Sequence, residues 1–203
     1  MADVYRTLKE KVRTELNVNS SRFMAEAMPA SSPSAVAAHI ERIREQQGKA
    51  DHHCTAYRLG PDGQTFRYDD DGEPSGTAGP PILRQIDARD LTNTLVVVTR
   101  YFGGTKLGTG GLVRAYGDVA DAVLRAACIV EHVERELLRL QFAYDDTNPA
   151  QHVLRQFDTK VLGEAYSDVT ELRVGVRRSD AEPFVEAFTN ALGGRGEVKR
   201  DTK

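Results

Sequence analysis

The sequence predicts an α+β protein with two domains. The order β-α-β-β-α-β over residues 135–200 is the ferredoxin-like pattern. A separate series of strands and helices precedes it, and a chain of 203 residues is long enough for two small domains. We place the boundary near residues 129–134, because complete core patterns lie on both sides of it. The predicted domains are therefore 1–132 and 133–203.

The first domain is predicted to open with strands, a helix and a hairpin. Alternating polar and apolar residues favour strands at 14–18 and 22–28. A helix capped by Ser32 or Ser34 is then predicted, with a buried stripe of Val36, Ile40 and Ile43 and an end near Gly48. Two further strands, 52–59 and 64–68, are separated by a Pro-Asp-Gly turn and therefore form a hairpin.

The remainder of the first domain contains the most apolar strand of the chain. A short helix at 82–86 precedes a strand at 94–99, in which the apolar run 95–98 predicts burial on both faces. A helix follows from Leu112, with an apolar stripe that reaches Ala127.

The second domain is predicted from its own alternation of apolar patterns. Its elements are a strand at 135–144, a helix at 149–157, a strand pair at 161–167 and 170–177, a helix at 181–192 and a strand at 196–200.

Composition excludes several classes of protein. The formal net charge of −3 provides no global attraction to nucleic acid or membranes. No apolar run is long enough to span a bilayer and no signal peptide is evident, so we expect a cytoplasmic protein without a membrane partner. Cys54 and Cys128 are predicted to be buried free thiols. Neither belongs to a Cys-x-x-Cys pair, and the sequence predicts no metal and no cofactor.

A glycine-rich turn between the apolar strand and the next helix is the first candidate site. Its glycines are Gly103, Gly104, Gly108, Gly110 and Gly111. Lys106 lies inside the turn, and Arg100 and Arg114 flank it. Backbone N–H groups at a helix N-terminus attract anions, so the turn predicts a phosphate site. The Walker and dinucleotide-binding spacings both fail, and a tight connection without a ligand fits the same residues.

An acidic loop, 70–79, is the second candidate site. Its chemically relevant residues are Asp71, Glu73, Ser75 and Thr77. An EF-hand is excluded, because Arg67 and Ala78 occupy positions that need acids. Binding of Mg²⁺ by two carboxylates and a solvated loop both remain open. Ser75 lacks the Gly-x-Ser-x-Gly context of a hydrolase nucleophile.

The run His52-His53-Cys54 resembles a ligand cluster but lies on a predicted strand. Successive strand side chains point to opposite faces, so only His52 and Cys54 share one. A zinc site needs three or four ligands. The pattern therefore favours core or hydrogen-bonded histidines.

Three motifs carry a family resemblance: residues 70–79, 96–104 and 107–116. Together they resemble the IMPACT family, and in particular its bacterial YigZ-type group. The resemblance implies a first domain like the second domain of a small-subunit ribosomal protein. It implies a second domain like a late domain of elongation factor G. Eukaryotic relatives act in translational control, and bacterial members are similar to nucleic-acid-binding or ribosome-associated proteins by analogy of fold.

We hypothesise a non-catalytic binding protein with a cleft between the two candidate loops. Its ligand would be RNA, the ribosome or a phosphate-bearing small molecule. Lys106, Arg100 and Arg114 would contact phosphates, and Tyr101 would stack on a base. One alternative is an enzyme acting on a phosphorylated or nucleotide-like metabolite, with Glu73 or Asp71 as acid, base or Mg²⁺ ligand. Another is a protein-interaction module with an unknown protein partner.

Overall fold

The computed structural model describes residues 3–201, which divide into two compact units between His132 and Val133. The first unit contains β1 (Val4–Leu8), β2 (Val12–Val18), β3 (Ser21–Pro29), α1 (Pro33–Gln46), β4 (His52–Leu59), β5 (Thr65–Asp69), α2 (Gly79–Asp87), β6 (Thr94–Tyr101), α3 (Gly108–Ala126) and all but the last residue of β7 (Ile129–Val133). Within the described residues, no helix is both long and apolar enough to cross a membrane.

The first unit is built on a five-stranded antiparallel sheet in the order β2-β3-β6-β4-β5. The central strand β6 is buried on both faces, as its apolar run predicts. Leu95 and Val97 join a core with residues of α1, while Val96 and Val98 join a core with residues of α2 and α3. The sheet therefore has helices on both sides, and β6 delivers Arg100 and Tyr101 to one of its ends.

Two strands were not predicted from the sequence. β1 pairs with β7 in a separate two-stranded sheet, although residues 129–134 were expected to be only a boundary. Both strands are short and mostly half-exposed, so they lack the clear alternation that identifies a strand.

The helices that follow the two candidate loops begin earlier than predicted. α2 starts at Gly79, because Pro80 and Pro81 occupy its first turn, where a backbone N–H is not required. α3 starts at Gly108 rather than Leu112, so Gly108, Gly110 and Gly111 belong to its first turn. The last part of each candidate loop is therefore helical.

The second unit has the predicted ferredoxin-like fold. Its elements are β8 (Arg135–Phe142), α4 (Thr147–Gln156), β9 (Thr159–Tyr166), β10 (Thr170–Arg177), α5 (Ala181–Ala191) and β11 (Glu197–Arg200). The antiparallel sheet has the order β11-β8-β10-β9. Leu140 and Val174 of this sheet share a core with Val153 of α4 and Phe184 and Phe188 of α5.

The glycine-rich turn approaches the β2–β3 turn so closely that one glycine is required for steric reasons. A Cβ at Gly103 would lie 2.0 Å from the backbone oxygen of Ser20. A Cβ at Gly110, which lies in the first turn of α3, would meet no atom within 4 Å. We therefore expect substitution by alanine to have opposite effects on stability at these two positions.

We predict that Gly103→Ala destabilises the protein by about 1–3 kcal/mol, because backbone must move to admit the methyl group. Gly110→Ala is the matched control and is expected to stabilise α3 by up to about 1 kcal/mol. Urea unfolding of both variants measures the difference. Equal unfolding midpoints for the two variants would show that the close approach is absent.

Candidate functional site

The acidic loop and the glycine-rich turn line one pocket of about 450 Å³ in the first unit. Glu73 and Pro74 come from the acidic loop, and Lys106, Leu107 and Gly108 come from the turn and the start of α3. The other lining residues are Asp51, His52, Arg100, Phe102, Thr109 and Leu112. The pocket thus combines two carboxylates, an imidazole and two cations with apolar walls.

A buried ion pair forms one wall of this pocket. Arg100 donates from Nη1 to Oε1 of Glu73 at 2.6 Å, and the Glu73 side chain is only 3% exposed. The hydroxyl of Tyr116, on α3, donates to the same oxygen at 2.7 Å. Arg100 also donates to the hydroxyl oxygen of Ser21. We assigned Arg100 to phosphate contact from the sequence, but its guanidinium is already hydrogen-bonded to Glu73 and Ser21.

Asp70 and Asp71 hold the acidic loop in shape. The carboxylate of Asp70 accepts hydrogen bonds from the backbone N–H groups of Gly76, Ala78 and Gly79. Asp71 accepts from the backbone N–H of His53 and from Arg44. Within residues 3–201, no group of three or more His, Cys, Asp or Glu side chains is placed to hold a metal ion. Asp70 therefore folds the loop on itself, and Asp71 ties the loop to β4 and α1.

The two histidines of β4 occupy different environments. Nδ1 of His52 lies 2.8 Å from the backbone oxygen of Asp71, so this nitrogen carries the proton and donates it. Nε2 of His52 lies 3.9 Å from Oε1 of Glu73. His53 lies next to the hydroxyl of Thr99. Burial lowers the pKa of His53 below its ordinary value of 6.5. The predicted hydrogen-bonded role fits both rings, but His52 also lines the pocket.

Cys54 and Tyr116 form a polar contact beneath the ion pair. The sulfur of Cys54 lies 3.3 Å from the Tyr116 hydroxyl and 3.0 Å from the backbone oxygen of Asp70. Burial raises the pKa of both groups, so the thiol and the phenol stay protonated at neutral pH. A thiol in this state is a poor nucleophile. The prediction that both cysteines are buried is wrong for Cys128, which is exposed.

The N-terminus of α3 presents unsatisfied backbone donors beside a cation. The N-cap residue, Leu107, makes no side-chain capping hydrogen bond, so the N–H groups of the first turn have no intrahelical or side-chain cap. Lys106 and Arg114 are exposed, and neither makes an ion pair within residues 3–201. Positive φ angles at Gly104 and Gly108 shape this turn.

The structure brings only part of the predicted site residues to the pocket. Glu73, Arg100, Lys106 and Gly108 line it. The others lie outside its lining: Asp71, Ser75, Thr77, Tyr101, Gly103, Gly104, Gly110, Gly111 and Arg114.

The ring of Tyr101, at the end of β6, lies outside the pocket lining. The guanidinium of Arg22 lies over this ring, with its Cζ 4.5 Å from the ring centroid. Phe102, one residue later, lines the pocket and is 44% exposed. Sequence reasoning missed Phe102, although an aromatic residue directly after a buried strand and before a glycine turn was a usable signal.

These features define a class: an α+β protein in which a helix-covered antiparallel sheet with a two-loop pocket precedes a ferredoxin-like unit. The model of the Impact N-terminal domain matches residues 19–124. A domain of unknown function, DUF1949, matches residues 140–195. The chain belongs to the IMPACT family.

Bacterial relatives match along most of the chain. The IMPACT family member YvyE of Bacillus subtilis is 34% identical and covers 98% of this chain and 92% of its own length. YigZ of Escherichia coli is 34% identical over 82% of this chain and 83% of its own length. Human Protein IMPACT is 36% identical over 43% of this chain, which corresponds to 28% of the human protein. The predicted resemblance to the IMPACT family and its YigZ-type group is confirmed.

A solved structure supports the fold over the whole chain. It is described as the crystal structure of a hypothetical protein, is 29% identical and has a TM-score of 0.72 over 100% of both chains. The predicted α+β fold is confirmed.

We predict that Tyr116→Phe lowers the free energy of unfolding by about 1.5–3 kcal/mol, because a hydrogen bond to a buried carboxylate is lost. Tyr57→Phe is the matched control, since the Tyr57 hydroxyl has no hydrogen-bond partner among residues 3–201. Urea unfolding compares the two variants. A loss at Tyr116 no larger than that at Tyr57 would contradict the assigned contact.

We predict that stability falls as pH drops below about 6.5, since the unfolded chain binds a proton at His53 that the folded chain resists. Above that pH both states are neutral there, and the effect disappears. Burial also lowers the pKa of His39, so His53→Asn should reduce the pH dependence without abolishing it. Urea midpoints at about pH 7.5 and 5.5 measure this, with exposed His152→Asn as the control. An unchanged dependence in His53→Asn would refute the assignment.

Proposed function

We propose that the pocket binds single-stranded RNA through one nucleotide and its phosphate, in a translation-related role in the cytoplasm. Eukaryotic members of the family are related to translation regulation. The observation that supports the proposal most directly is the position of the α3 N-terminus and Lys106 on the same pocket as an exposed aromatic ring. An anion and a planar base are the two parts of a nucleotide.

The phosphate would bind at the start of α3. The first-turn N–H groups lack a side-chain cap, and a helix N-terminus carries a partial positive charge. Lys106 adds a full charge at the pocket, and Arg114 lies further along the same helix. Because the chain carries a net charge of −3, attraction of RNA would depend on this local group of cations.

The base would bind between the apolar walls. Phe102 provides an exposed ring, and its backbone N–H donates to Asp51 at 2.7 Å, which restrains its position. Pro74, Leu107 and Leu112 supply apolar surface. Stacking of a base on an aromatic ring is worth about 1–3 kcal/mol and tolerates any sequence. A volume of about 450 Å³ lies within the range of small-ligand pockets.

We predict that replacing Lys106 and Arg114 together by alanine weakens binding of short single-stranded RNA by about tenfold or more at moderate salt, because two phosphate contacts are lost. The dependence of log K on log salt should flatten by roughly 0.7 per lost contact. Fluorescence anisotropy over a salt series measures both quantities, and purified ribosomes serve as a second ligand.

The matched control is Lys49→Ala with Arg67→Ala, which removes the same charge from exposed positions outside the pocket. RNA affinity in this control should change less than twofold. Equal loss in both double variants would mean that net charge alone governs binding. Wild-type affinity and salt dependence after loss of Lys106 and Arg114 would overturn the proposal.

A further inference from the structure

The edge strand β5 carries two exposed aromatic rings. All five of its residues are exposed, and among residues 3–201 it pairs with β4 alone. Phe66 is 53% exposed and Tyr68 is 47% exposed. The edge of a sheet presents unpaired backbone donors and acceptors, and aromatic residues are enriched in protein interfaces. This edge therefore offers a partner both backbone hydrogen bonds and apolar surface.

The opposite edge of the same sheet, β2, lacks this combination. Its apolar side chains pack against the core that contains residues of α3. Its exposed side chains are polar: Arg13, Glu15 and Asn17. β2 therefore offers a partner no comparable apolar surface, and β5 is the edge of this sheet that is suited to an interface.

The two rings of β5 are held in position by groups of the first unit. The guanidinium of Arg58 lies over the ring of Phe66, with its Cζ 5.1 Å from the ring centroid, and it forms an ion pair with Asp87 of α2. Tyr68 lies so close to the start of α2 that a Cβ at Gly79 would be 2.9 Å from its ring. Side chains that are already ordered lose little conformational entropy on binding.

The two faces of β5 differ in chemistry, because successive residues of a strand point to opposite sides of the sheet. Tyr68 lies opposite Ala56, which belongs to the core with α2, so Phe66 and Tyr68 face the side of α2. Arg67 and Asp69 face the other side. Both are exposed, and neither forms an ion pair with a residue in the range 3–201.

We propose that β5 pairs with β5 of a second copy of this chain, antiparallel about a two-fold axis at Tyr68. The two Tyr68 rings are then cross-strand neighbours on the aromatic face. Arg67 lies opposite Asp69 of the second copy, and the symmetry repeats this pair, so two ion pairs form on the other face. Asp69 keeps an oxygen for this contact, because its bond to the backbone N–H of Asp71 uses Oδ1.

Charge complementarity favours this register and this occupant. An axis at Arg67 would place two guanidinium groups directly opposite each other, which is unfavourable for like charges. A strand of another protein would have to supply an anion and a cation at matching positions, whereas a second copy supplies both by symmetry. The two-fold axis also closes the assembly, because both β5 edges become paired.

The test is sedimentation equilibrium of the full chain over a range of concentrations. We expect a reversible dimer with a dissociation constant of about 10 µM, because an interface of one short strand is small. Arg67→Glu places acids opposite each other in both cross-strand pairs, so it should weaken the dimer by about tenfold or more. Asp69→Arg should weaken it similarly. Arg13→Glu on β2 is the matched control and should leave the constant unchanged.

A mixture of the two charge variants tests the register itself. When Arg67→Glu is mixed with Asp69→Arg, both cross-strand pairs of the mixed dimer again join opposite charges. The mixture should therefore associate about as tightly as the wild-type chain, although each variant alone does not. Urea unfolding of each variant verifies that it is folded.

Each contrary result would overturn the proposal. A wild-type chain that is monomeric at about 200 µM would exclude a second copy and leave this edge to an extended segment of another protein. Association that Arg67→Glu does not weaken would place the interface elsewhere. A mixture of folded variants that fails to associate would refute the register.

These outcomes are independent of the proposed RNA binding, because β5 lies outside the pocket lining. RNA affinities are compared at protein concentrations well below about 10 µM, where every variant is a monomer.

Discussion

The ion pair between Arg100 and Glu73 is the interaction on which the first unit's functional surface depends. It joins the end of β6 to the acidic loop, and Tyr116 and Ser21 add α3 and β3 to the same contact. Removing one partner of a buried pair leaves an uncompensated charge, at a cost of about 3–5 kcal/mol. The pair is thus both part of the core and one wall of the pocket.

Arg100 also connects the core to the pocket through aromatic rings. Its Cζ lies 5.4 Å from the ring centroids of both Phe23, which is fully buried, and Phe102, which is exposed. A guanidinium can stack on such rings while its N–H groups donate hydrogen bonds in its own plane. Lysine at this position could not make these contacts together.

Most of the fold was predictable, because strong patterns identify elements with extensive burial. The run 95–98 identified the central strand, and the order of elements after Arg135 identified the ferredoxin-like unit. β1 and β7 escaped prediction because their burial pattern is weak. The contacts of the site were harder to predict. Nothing in the sequence shows that the carboxylate of Glu73 accepts a hydrogen bond from the guanidinium of Arg100, which lies 27 residues away. Such pairing depends on the tertiary structure.

The thiol of Cys54 gives this protein an internal reporter of pocket opening. The thiol lies under the acidic loop, in contact with Asp70 and Tyr116, whereas Cys128 is exposed. An alkylating reagent would therefore reach Cys128 directly but would reach Cys54 only when the loop separates from α3. The ratio of the two labelling rates reports how often the loop opens, without any engineered cysteine.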